Sequence, residues 1–91
     1  ETAFKTFDEV IERANDNDLG LCSYLYTNSM DKAHIGSEKL ESGCVAVNTG
    51  VVAIAEAPFG GIKQTGYGRE GGSGAIKDYL NVKYTHMGLK I

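Results

Sequence analysis

Most of the features that would declare a function outright are missing from this sequence. No Lys/Arg cluster interrupts a formal net charge of −3, so nucleic acid and anionic membranes have no electrostatic footprint to meet. No apolar run approaches the roughly 18–20 residues of a membrane span, and the opening Glu-Thr-Ala-Phe-Lys lacks the charged-then-apolar order of a signal peptide. The expectation is a cytoplasmic protein with no nucleic acid or membrane partner. A start without methionine adds the expectation of a fragment of something longer.

Catalytic and metal signatures are equally scarce. His34 and His86 are the only histidines, and neither has a second metal-type ligand at helical or strand spacing. There is no Ser/His/Asp order and no C-x-x-C, so no metal site is expected. Cys22 and Cys44 sit inside apolar segments with uncharged flanks, where free cysteine serves as a small core hydrophobe. A disulfide would require oxidising conditions that nothing else in the sequence suggests.

What is present fits one small α/β domain: 91 residues, 42% hydrophobic and 23% charged. The single proline opens the run Pro58 to Gly71, Pro-Phe-Gly-Gly-Ile-Lys-Gln-Thr-Gly-Tyr-Gly-Arg-Glu-Gly, which holds five of the 12 glycines. Neither a helix nor a regular strand would choose that composition. It reads as an ordered loop that buries Phe59 and Tyr67.

The rest of the chain arranges itself around this loop. Thr6 and Glu9 form a capping box, and Phe7, Val10, Ile11 and Ala14 make one helical stripe ending by Asp18. Leu21 to Thr27 reads as a strand. A second helix, capped by Asn28 or Ser29, carries Met30, Ala33, Ser37 and Leu40 on one side and stops at Gly43. Cys44 to Asn48 is a short apolar strand, giving a βαβ unit whose ligand end lies at Asn48. Val51 to Ala57 is irregular. Ser73 caps a third helix with Ala75, Ile76, Tyr79 and Leu80 buried, and Val82 to Met87 alternates as a two-faced strand.

Gly66-Tyr-Gly68-Arg-Glu-Gly71 satisfies G-x-G-x-x-G formally, but a loop precedes it and no acidic residue follows at the ribose distance, so dinucleotide binding is not expected there. Lys63, Arg69 and Glu70 could serve a substrate anion or could equally pair with each other and with helix ends. From chemistry alone this is a binding loop without a catalytic set.

Four runs together resemble the C-terminal end of the aldehyde dehydrogenase superfamily: Ala14-Asn-Asp with Leu19-Gly-Leu, Gly43-Cys-Val-Ala-Val-Asn48, Ala57 to Glu70, and Asp78-Tyr-Leu-Asn-Val-Lys-Tyr84. Asn48-Thr-Gly and Asp78-Tyr-Leu with Lys83-Tyr look most like succinate- and glutarate-semialdehyde dehydrogenases. The resemblance implies that residues 1–81 are the end of the catalytic domain and residues 82–91 an oligomerisation strand and tail. It implies a parent that oxidises an aldehyde through a cysteine thioester with NAD or NADP and assembles as a homodimer or homotetramer. The nucleophile, the base and the cofactor site would all lie upstream, so this segment alone should be inert and bind no cofactor. Phe59 takes the position that lines the substrate tunnel. Ala53 takes a position where the semialdehyde enzymes usually hold the substrate carboxylate with a serine, so a hydroxyl donor is absent there. A different class, a self-standing α/β module whose glycine-rich loop holds a small anion, is the competing reading.

Overall fold

A computed structural model describes residues 2–90; Glu1 and Ile91, the outer limits of the two units expected from the resemblance, lie outside the described residues. Helix α1 runs Phe7–Asn15, and its start follows the capping chemistry read from the sequence. The Thr6 hydroxyl accepts from the Glu9 amide at 3.1 Å, while the Glu9 carboxylate accepts from the Lys5 amide at 3.0 Å, so two of the donors at the helix start are satisfied. Asn17 ends the unit by taking the Leu19 amide on its side-chain oxygen and donating to the Ala14 carbonyl.

The chain then enters β1, Leu19–Gly20, and β2, Cys22–Leu25. Helix α2, Met30–Lys39, is capped by Ser29, whose hydroxyl accepts from the Lys32 amide, and leads to β3, Cys44–Val47. β2 and β3 pair in parallel, Cys22 opposite Cys44 and Leu25 opposite Val47, so β2-α2-β3 is the expected βαβ unit. β4, Ile62–Lys63, pairs antiparallel with β1 and fastens the glycine-rich loop to the body.

Several expectations need correction. The buried line of α2 is Ala33, Gly36 and Leu40; Met30 is 72% exposed and Ser37 points its hydroxyl back to the Ala33 carbonyl. Gly36 is the contact residue because a Cβ there would run into the Leu25 side chain, and the Phe7 ring lies just beyond. α2 ends at Lys39 with Leu40 as its cap, ahead of Gly43; glycine is needed at 43 because a Cβ would collide with the Gly60 carbonyl. The third helix is only a five-residue 3-10 turn, Ala75–Tyr79, with no side-chain cap from Ser73. Its stripe has nothing to pack on, since Ile76, Tyr79 and Leu80 are exposed, and a short helix without a packing face does not hold. Val82 to Met87 likewise forms no strand: residues 81–90 are exposed throughout and no strand of the described residues lies beside them to complete a ladder.

Candidate functional site

The run from Pro58 to Gly71 folds into a pinched ring. At its neck Phe59 and Glu70 exchange both backbone hydrogen bonds at 2.7 Å, and the Gly72 amide bonds the Ala55 carbonyl at 2.8 Å. Gly71 and Gly72 make the turn that allows this pairing, with φ of 66° and 69°. A Cβ on Gly71 would press on the Ala57 carbonyl oxygen, so glycine is required twice over there. The sequence marked this stretch as an ordered loop from its composition, and the ring accounts for the order. Phe59 is half-buried as expected, whereas Tyr67 is fully exposed.

Both basic side chains of the loop are spent internally. The Lys63 ammonium donates to the Asn15 and Asn17 carbonyls at 3.1 and 3.2 Å and pairs with Glu41 at 3.3 Å. It thereby caps the end of α1, where exposed carbonyls and the helix dipole favour a cation. The backbone of Lys63 is left-handed, φ 57°, a conformation that L-residues adopt at a cost and that this anchor sustains. Arg69 donates from one guanidinium nitrogen to the Gly61 and Gly68 carbonyls at 2.9 and 2.8 Å, bracing the ring from within. Of the two readings left open for these cations, pairing with the fold is the one the geometry realises.

The formal dinucleotide fingerprint, Gly66 to Gly71, does not fit a pyrophosphate. The Asp78 carboxylate already accepts from the Arg69 amide at 2.6 Å, placing an anion where a phosphate would need a donor, and no helix of useful length begins behind it. The described residues hold no group of three His, Cys, Asp or Glu side chains that could bind a metal.

Asn48 stands at the expected ligand end of the parallel strands, and its side chain acts there as a strand extension. Its carbonyl oxygen accepts from the Thr27 amide at 2.9 Å and its NH2 donates to the Thr27 carbonyl at 3.0 Å, while its own amide bonds Leu25 at 2.8 Å. With φ of 57° it turns the chain out of β3 into the irregular segment that carries Ala53. Ala53 and Phe59, singled out separately by the sequence, line one hollow of about 280 Å³ together with Ile54, Ala57 and Glu70. Its wall is apolar apart from Glu70 and backbone. Sequence reasoning missed that Cys22 and Cys44 face each other across β2 and β3; both were visible as cysteines in apolar strands, but register is fixed only by pairing. Burial pushes the Cys22 thiol up, Cys44 adds to the effect, and the Tyr24 hydroxyl beside it partly opposes it.

The model of the aldehyde dehydrogenase family matches residues 2–85. The succinate semialdehyde dehydrogenase of Acinetobacter baylyi is 47% identical over 85 residues, covering 93% of this chain and 18% of that protein. The 3-sulfolactaldehyde dehydrogenase of Pseudomonas putida is 48% identical over 85 residues, with the same coverage of 93% and 18%. Among solved structures, an aldehyde dehydrogenase from Brucella melitensis biovar abortus 2308 superposes with a TM-score of 0.87 at 49% identity, over 92% of this chain and 17% of that one. The chain thus spans less than a fifth of the length of the relatives it matches.

Proposed function

This chain belongs to the aldehyde dehydrogenase family, and on that premise we propose that it is the C-terminal segment of an enzyme that oxidises an aldehyde with an anionic tail to the corresponding acid, using NAD or NADP. Succinate semialdehyde is the substrate the reading favours. The two relatives above are named for aldehydes ending in a carboxylate and a sulfonate, which supports a shared preference for a negatively charged tail. The segment supplies neither nucleophile nor general base nor cofactor site; its part is to build a wall of the substrate tunnel. Phe59, fixed by the backbone pairing with Glu70, sets the position of the aldehyde end, and Ala53 borders the tail. The parent assembles as a homodimer or homotetramer in the cytoplasm, with residues 82–91 contributing to assembly.

The observation that carries this reading is the common hollow of Ala53 and Phe59, two positions six residues apart in a segment without regular structure. A wall that holds the substrate near its attack geometry is sensitive to small displacements, which can cost on the order of a hundredfold in rate. Phe59→Ala in the full-length protein should therefore lower kcat/KM for succinate semialdehyde by about that factor while leaving the Phe59–Glu70 backbone pairing intact. Unchanged kinetics on several aldehydes would take Phe59 out of the site.

A further inference from the structure

We propose that Cys22 and Cys44 form a redox-active dithiol, which hydrogen peroxide or another two-electron oxidant converts into an intramolecular disulfide joining β2 to β3. The two residues are register partners in a parallel ladder, so their side chains leave the same face of the sheet. Neighbouring strands lie about 4.8 Å apart, inside the roughly 4.4–6.8 Å that Cα atoms of a disulfide span, so the backbone need not rearrange. Both are free thiols and half-buried, close to solvent without being fully open to it.

Their surroundings leave the pair few other roles. The Cys44 sulfur makes a weak contact to the Gly60 carbonyl at 3.8 Å, and Cys44 and Tyr24 lie close enough to Cys22 to act on its thiol. No third His, Cys, Asp or Glu among the described residues completes a metal site with them. Each cysteine is therefore the other's cross-strand neighbour, with no metal site competing for it among the described residues. One thiol takes oxygen from hydrogen peroxide to become a sulfenic acid, releasing water; the second thiol attacks that sulfur, forms the S–S bond and releases a second water. Two thiols lose two hydrogens and the peroxide is reduced, so the step balances.

Peptide mapping tests this independently of any catalytic assignment. The full-length protein is treated with hydrogen peroxide, its remaining thiols are blocked with iodoacetamide, and it is digested with trypsin. The expected product is residues 14–32 linked to residues 40–63, released by dithiothreitol and absent from Cys22→Ser and Cys44→Ser. Separate alkylation of both cysteines after oxidation, sulfinic acid on each, or linkage of either to some other cysteine would overturn the proposal. The map of the unsubstituted protein decides the matter even if a serine variant fails to fold.

Discussion

Ala53 is a residue whose importance lies in what its side chain does not offer. It lines the hollow shared with Phe59 yet carries no hydroxyl, so on the proposed reading an anionic tail would be held by groups elsewhere in the protein. A hydrogen bond to a charged group contributes about 1.5–3 kcal/mol, so Ala53→Ser in the full-length protein should raise kcat/KM for succinate semialdehyde by roughly tenfold or more. Butanal, with no charge at its tail, should gain nothing. An unchanged ratio of the two values would mean either that position 53 does not face the tail or that groups elsewhere already saturate it. Ala53 and Phe59 were readable as candidates only through resemblance, because nothing in the composition of an apolar stretch says which residues line a space. Lys63 and Arg69 show the converse limit. Their charge made them visible, but which carbonyls stand opposite them depends on where the ring folds, and that is set by pairings between residues as distant as Asn15 and Lys63.

Elements defined by local chemistry were legible, and those defined by a partner were not. The Thr6 and Ser29 caps fix the starts of α1 and α2 with hydrogen bonds to residues three positions on, and such spacing is plain in sequence. The end of α2 was misplaced because Gly43 serves a contact with Gly60 rather than a helix stop. Asn48 joins the two categories: its turn-prone identity was visible, its double hydrogen bond to Thr27 was not. Asn48→Ala should destabilise the folded protein by about 2 kcal/mol, from two hydrogen bonds of about 1 kcal/mol each, with a further cost of about 1 kcal/mol for a positive φ. Asn48→Gly keeps that φ at ease and should cost about 1 kcal/mol less than Asn48→Ala in urea unfolding; equal costs would show that the left-handed turn carries no strain. For residues 82–91, deletion from the full-length protein should yield monomers or insoluble protein in sedimentation analysis. A soluble, active oligomer of native size would exclude this segment from assembly.

Seen whole, the chain is far more open than a self-contained domain. Its Cα radius of gyration is 19.0 Å and its long axis 75 Å, against a radius of about 12 Å for a compact domain of this length. Among the described apolar residues only Ile11 and Ala46 are buried, while Leu19, Tyr26, Ile54, Tyr79 and Leu80 are more than half exposed. Apolar area left in water contributes no stability, and this much of it weighs against the self-standing binding module. That surface suits an element meant to pack on the remainder of a larger fold, in keeping with a match that spans less than a fifth of its relatives. The βαβ elements could be read from the sequence, but how few apolar residues are buried could not, because an apolar stripe looks the same whether its partner lies in the same segment or elsewhere. The most direct test of the account is aldehyde-dependent reduction of NAD+ and NADP+, followed by nicotinamide absorbance, for the full-length protein and for the isolated 91-residue chain side by side. The account predicts turnover of succinate semialdehyde by the full-length protein with one of the two cofactors and none by the chain alone. A full-length protein that oxidises no aldehyde, or an isolated chain that does, would contradict it.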